Sequence, residues 1–268
     1  SKLIFFTLEI NRIEDDELEQ KLEAPELAHF APWIRDVRIF RPHQLSDELE
    51  KMLLEKSVTG RSAWIRLFDE TMADLRFKID DQELTIAETL DRLSHKESAK
   101  RKEAAVSLGA ELSNNIKLYS LITNSLAKDK EVEDKWRRYA KPVSSRNLIN
   151  QVEDDVVNAL VTTVTQSYER LSHRYYKLKA EWFGVEQLNY WDRNAPLPND
   201  DDTIIEWGDA KRIVLDSYQA FSPELALIGE EFFSKNWIDA PPRAGKASGA
   251  FAHPTVPSVH PYLLLNYQ

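Results

Sequence analysis

The chain has 268 residues, 42% hydrophobic and 30% charged, with a formal net charge of -10. That composition is globular rather than disordered, and the length suffices for one large domain or two smaller ones. The acidic balance argues against a dedicated nucleic-acid or anionic-membrane binder, because both reward a basic surface. Cysteine is absent, which excludes disulfides and thiolate chemistry and leaves only His and carboxylates for a zinc site. No window reaches the apolar length of a membrane span, and the opening "SKLIFFTLEINRIEDDELEQ" meets acids too soon for a signal peptide. The expected location is the cytoplasm.

Along the chain, Leu3 to Ile10 reads as a strand or the start of a helix. "LSDELEKMLLEK" reads as a helix capped by Ser46, with Asp47 and Glu48 at the positive end of its dipole. "LRFKIDDQELTI" reads as a β-hairpin, with Phe77 and Ile79 before an Asp80-Asp81 turn and Leu84 and Ile86 after it. Beyond it the pattern is helical. Ala104, Leu108, Leu112, Tyr119, Ile122 and Leu126 fall on one face. A more regular stripe runs from Leu148 through Val156, Leu160, Val164 and Leu171 to Trp182, and is expected to be core against a long partner surface. Gly184 is placed to end that helix. "NAPLPNDDD" reads as a loop, and "IIEWGDAKRIVLDSYQAF" as a helix. Ser222-Pro223-Glu224 starts a further helix that runs to about Trp237. A Gly- and Pro-rich, strand-like tail follows from Pro241. The expected organisation is a mixed α/β region over 1–90, a long-helix lobe over 91–240 and the tail over 241–268. The fold class is mainly α: a helical lobe with a small β-hairpin and a short C-terminal strand region.

No complete catalytic constellation emerges, so no catalytic or metal-binding residue is assigned. None of the six histidines pairs at the i, i+4 spacing that sets two imidazoles on one helix face. His253 and His260 both precede Pro, which biases them to extended backbone, and they read as loop or strand residues. No nucleophile elbow or phosphate loop is present. The acid runs Asp154-Asp155 and Asp200-Asp201-Asp202 read as solvated surface. "KWRRYAKP" interleaves Trp136 and Tyr139 with Lys135, Arg137, Arg138 and Lys141. Given the overall acidity it reads as a cationic helix end rather than a nucleic-acid patch.

The segments "WIDAPPRAGKASGAF" and "SVHPYLLLNYQ" resemble the stretch that leads into the zinc helix of the oligoendopeptidase F family, zinc metallopeptidases related to thimet oligopeptidase. "RYYKLKAEWFGVEQLNYWDRNAPLP", "AFSPELALIGEEFFSKNWIDA" and "RPHQLSDELEKMLLEKSVTGRSAWIRLFDE" match in the same order, so the resemblance covers essentially the whole chain. The family's H-E-x-x-H motif is missing and would begin about ten residues beyond Gln268. The resemblance therefore implies the N-terminal lobe and substrate-binding strands of a zinc-dependent oligoendopeptidase for short peptides, inactive alone. Zinc would belong to the full-length parent and not to this chain. The expected partners are an oligopeptide substrate and the missing C-terminal catalytic half.

The resemblance carries over a peptide-pairing edge at Gly249, Ala250 and Phe251, with His260, Tyr262 and Asn266 on the neighbouring strand. Gly and Ala would let a peptide backbone approach and add as a strand. An unpaired edge next to "LLLNYQ" also implies self-association through the tail, or a tail folded back on the helices. The alternative reading is a non-catalytic helical module that binds a peptide or a protein.

Overall fold

The computed structural model describes residues 3–198, 203–243, 246 and 249–267. The Asp200–Asp202 run lies outside the described residues. The chain is mainly α, with two small sheets among the described residues. It divides into two compact units, Ser1–Glu70 with Asn114–Tyr175, and Thr71–Ser113 with Tyr176–Gln268.

In the first unit the N-terminal segment is a helix, Ile4–Arg12, and not a strand. Ile4, Thr7, Leu8 and Asn11 turn inward at spacings of three and four while Phe5, Phe6 and Glu9 remain exposed, a helical rather than an alternating pattern. Ile10 packs with Leu18 of the helix Asp15–Leu22 and Ile34 of the helix Ala31–Arg38. The open carbonyls at the end of the first helix are taken by a side chain: Arg38 Nη1 donates to the Ile10 and Ile13 oxygens at 2.9 and 2.6 Å.

The helix Asp47–Ser57 forms as expected, but the Ser46 hydroxyl makes no capping bond. Glu50 instead accepts from the Leu45 amide at 2.9 Å and is held by Arg137 through a two-pronged contact of 2.7 and 3.0 Å. Arg137 also donates to Glu133 at 2.7 Å, and the His43 ring stacks on Tyr139 with centroids 4.1 Å apart. Lys141 pairs with Asp154 at 2.6 Å. Two cations of "KWRRYAKP" are thus committed to internal ion pairs.

The stripe from Leu148 to Trp182 is not one helix. Leu148 lies in Ser144–Ile149, the chain turns at Gln151 with φ 51°, and a new helix starts at Asp154. It continues through a π-helical turn at Glu169–His173 into Arg174–Trp182. The expectation of a core stripe fails among the described residues: Leu160 and Leu171 are 64% and 60% exposed, and Val156, Val164, Tyr168 and Trp182 are exposed as well. Periodicity reports that a face is apolar, not which surface covers it. Gly184, with φ 65°, ends the helix as expected. Its amide and that of Val185 reach back to the Glu181 and Ala180 carbonyls.

In the second unit, β1 (Phe77–Ile79) pairs antiparallel with β2 (Gln82–Leu84), Phe77 opposite Leu84. Asp80 and Asp81 carry φ of 50° and 60°, the left-handed pair that a tight two-residue hairpin turn needs. Ile79 and Leu84 pack on Ala104. The second strand stops before Ile86, which begins the helix Ile86–Arg92. Thr85 and Glu88 form a reciprocal capping box there, and this diverts the chain out of the sheet. The face from Ala104 to Leu126 is interrupted at Asn115, between the helices Ser98–Asn114 and Ile116–Trp136, and its two halves serve different units.

The buried Arg101 guanidinium meets Asp192 Oδ1 at 2.6 Å and the His95 and Lys96 carbonyls at 2.6 and 2.7 Å. Ser98 and Asn189 donate to the same carboxylate. Every charge in this buried cluster is therefore compensated. Farther on, Ser222 Oγ accepts from the Leu225 amide at 3.3 Å and starts the helix Pro223–Ser234, as its sequence predicts. That helix ends at Ser234, a few residues short of the expected Trp237, and leads into the last sheet.

Candidate functional site

The last sheet contains β3 (Ile238–Asp239), β4 (Phe251–His253) and β5 (Tyr262–Leu264), in the order β3-β5-β4. β5 is central, parallel to β3 and antiparallel to β4. The β3 ladder is carried by Leu263 and Leu265, whose amides donate to the Trp237 and Asp239 carbonyls at 2.9 Å each, and by Tyr267 to Ala240. Backbone groups of successive strand residues point to opposite sides. Tyr262 and Leu264 must therefore turn theirs towards β4, where they stand opposite His253 and Phe251. By the same alternation, Ala252 directs its amide and carbonyl away from β5, to the outer edge. β4 is the end strand of this sheet, and all three of its residues are exposed.

The six residues expected to bind a peptide come together here. Gly249 enters β4 with φ 87°, a conformation that disfavours any side chain. An added Cβ would meet nothing within 4 Å, so backbone geometry and not crowding is what requires glycine. Asn266 Nδ2 donates to the Gly249 carbonyl at 2.8 Å. Ala250 follows, and Phe251 opens β4. His260 lies just before β5, stacked on Trp237 with centroids 3.8 Å apart and planes within 6°. Tyr262 meets the His260 ring edge-on at 4.5 Å. The turn between β4 and β5 is tied by Thr255 Oγ1, whose one hydrogen is shared between the Val259 and His260 carbonyls at 2.6 and 2.9 Å. A shallow depression of about 260 Å³ lies between Trp237, Asp239, Phe251, His253 and Tyr262.

Three participants are not evident from sequence reasoning. Trp237 supplies the platform for His260, Asp239 anchors the segment after β3, and Ala252 presents the outward backbone groups. Only the strand register identifies Ala252. Asp239 accepts from Arg243 at 2.7 and 2.8 Å and from Lys246 Nζ at 3.1 Å; these hydrogen bonds hold its carboxyl down to about 2. Neither His253 nor His260 joins a metal-ligating set: among the described residues no three of His, Asp or Glu converge on one point. The described residues therefore do not fit a zinc site. No helix among them is long and apolar enough to cross a membrane.

A family model described as Oligopeptidase F matches residues 9–77. Oligopeptidase PepF of Bacillus subtilis (strain 168) is 25% identical over 281 aligned positions, which cover 100% of this chain and 41% of that protein. The chain resembles the N-terminal region of oligoendopeptidase F-type peptidases. An oligoendopeptidase F homolog of Borreliella burgdorferi is likewise 25% identical, across 98% of this chain and 45% of the homolog. The crystal structure of oligoendopeptidase-F from Enterococcus faecium superposes with a TM-score of 0.62 at 20% identity, over 86% of this chain and 50% of that one. PZ peptidase A with an inhibitor gives a TM-score of 0.70 at 17% identity, over 88% of this chain and 42% of that one. At those identities the structures speak for the fold alone. The chain spans less than half the length of the curated relatives it matches.

Proposed function

We propose that this chain forms the helical lobe and the substrate-presenting sheet of a zinc-dependent oligoendopeptidase that cleaves short peptides in the cytoplasm. The observation that carries the reading is the open edge of β4 in a chain whose whole length is similar to such peptidases. An extended peptide would add as a fourth strand, bonding to the outward amide and carbonyl of Ala252 and flanked by Gly249, Ala250 and Phe251. Backbone pairing is indifferent to substrate side chains, which suits an oligopeptidase of broad range. Tyr262 and the Trp237–His260 stack would brace β5 behind that edge, and Asn266 would hold Gly249 in place for the bound strand.

Zinc and the groups that use it would come from the part of the relatives that this chain does not match. When bound there, zinc would polarise the scissile carbonyl and activate water. The exposed apolar stripe of Leu160, Val164 and Leu171 would be covered by that additional polypeptide, an interaction in which this chain is one partner. Alone, the chain would bind oligopeptides and leave them intact.

The test combines three measurements on the purified chain: metal content, turnover of a quenched oligopeptide, and anisotropy of a labelled oligopeptide. Saturable binding without turnover or stoichiometric zinc is the expected result. Turnover with tightly held zinc would overturn the claim of inactivity, and absence of saturable binding would overturn the edge.

A further inference from the structure

We infer that Asp239, acting through Lys246, is a positioning residue for the outer edge of β4. The inference rests on the peptide-binding reading of that edge. Asp239 ends β3, on the far side of β5 from β4, so a peptide added to β4 would not touch it. Its carboxylate and carbonyl nonetheless hold Arg243 and Lys246, two residues that lie between the two strands in sequence. Lys246 Nζ makes three hydrogen bonds: to the Asp239 carbonyl at 3.0 Å, to Asp239 Oδ1 at 3.1 Å and to the Pro241 carbonyl at 2.8 Å. An ammonium has three donors, so its capacity is filled.

The Lys246 side chain is 2% exposed in a tail whose other side chains are mostly exposed. A charge so buried is costly unless it is paired, and this one is paired in full. The Asp239 carbonyl also accepts from the Leu265 amide, so Lys246 is fastened to the same oxygen that joins β3 to β5. Arg243 completes the cluster with a two-pronged contact on the Asp239 carboxylate.

Lys246 stands three positions before Gly249, within at most about 10 Å of extended chain. Fixing Lys246 therefore limits how far Gly249 can stray from the end of β3. From there the Asn266 bond to the Gly249 carbonyl takes over. The connection into β4 is thereby anchored at two points, one on the residue that ends β3 and one just beyond β5. Releasing the first leaves the second alone to define where β4 begins, and a strand that wanders cannot present a fixed row of backbone groups to a peptide.

The experiment compares the chain with Lys246→Met, Lys246→Arg and Asp239→Asn by amide hydrogen exchange and by oligopeptide anisotropy. In Lys246→Met the paired amides of β4 should exchange roughly tenfold faster while those of β1 hold their rate, and peptide affinity should fall by about the same factor. Lys246→Arg keeps the charge and donors and should recover most of both; Asp239→Asn should resemble Lys246→Met without removing the lysine. Unchanged β4 exchange in both Lys246→Met and Asp239→Asn would overturn the inference, as would unchanged affinity beside faster exchange. If the parent chain binds no peptide while β4 exchange still accelerates, the clamp on β4 stands and the peptide-binding reading falls.

Discussion

The side-chain amide of Asn266 donates to the carbonyl oxygen of Gly249 at 2.8 Å, linking the end of the β5 segment to the entrance of β4. Gly249 holds φ 87° at this point, so the bond fixes a residue that has no side chain to restrict its backbone. Replacing Asn266 by Ala should weaken oligopeptide binding by roughly 3- to 10-fold, the ordinary range for one lost hydrogen bond. The midpoint of urea unfolding should move little, because the contact is exposed. Labelled-peptide anisotropy beside a urea titration separates the two effects; unchanged affinity would remove Asn266 from the site.

Ala252 offers a sharper probe of the edge. Its amide points away from β5, so proline there deletes an outward donor and spares the ladder. Ala252→Pro should abolish peptide binding with stability preserved. Phe251→Pro, which removes a donor facing β5, should loosen the sheet itself. Loss of stability in Ala252→Pro with none in Phe251→Pro would show the alternation to be the reverse of that deduced from the Leu263 and Leu265 bonds.

The Glu50–Arg137 pair makes a prediction about acid. Burial opposes ionisation of Glu50, but the Arg137 hydrogen bonds and the Leu45 amide outweigh it and hold the carboxyl below its ordinary 4.5. A carboxyl depressed in the folded state stabilises fully above its unfolded value, and that contribution is lost as pH falls through the folded one. Urea unfolding of the chain should therefore show stability declining below about pH 4.5, and Glu50→Gln should flatten that part of the decline. At pH 7 the same substitution should cost about 1.5–3 kcal/mol, the usual range for a hydrogen bond to a charged group. A Glu50→Gln chain as stable as the parent at pH 7 would contradict the arrangement.

The exposed stripe and the edge of β4 are competing routes to self-association. The stripe offers large side chains, Leu160 and Leu171 among them, and should dominate. Leu160→Glu with Leu171→Glu should turn an associating chain into a monomer by light scattering and change stability by no more than about 0.5 kcal/mol per site. If association survives these changes and Ala252→Pro removes it, the route is the strand edge, as the tail's sequence suggests.

What could be read from sequence follows how local the determining physics is. The hairpin was legible because alternation and the Asp80-Asp81 turn lie within eight residues. The starts and stops at Ser222 and Gly184 were legible because each is set by its own backbone. Ser46 misled because the residue type permits a cap without compelling one; its neighbour Glu50 is occupied by Arg137, far along the chain. Thr85 and Glu88 carried a capping-box signal that the apolar alternation through Ile86 concealed. The stripe showed an apolar face but not its exposure, since burial depends on surfaces that periodicity does not encode. At the site, residue types pointed to a pairing edge. That Ala252 presents the outward groups required the register of β5 against β3, a relation between distant segments.

The central place of β5 also sets a timetable. β3 and β4 do not pair with each other; among the described residues each pairs with a strand that the ribosome makes after both. At roughly 5–20 residues per second, β3 waits a few seconds with its hydrogen-bonding groups unclaimed. During that interval Ile238 and its neighbours are open to any other extended chain nearby. The arrangement that leaves one edge free in the finished sheet leaves more of them free while it is being made, so the nascent protein is most vulnerable to mispairing just before β5 emerges.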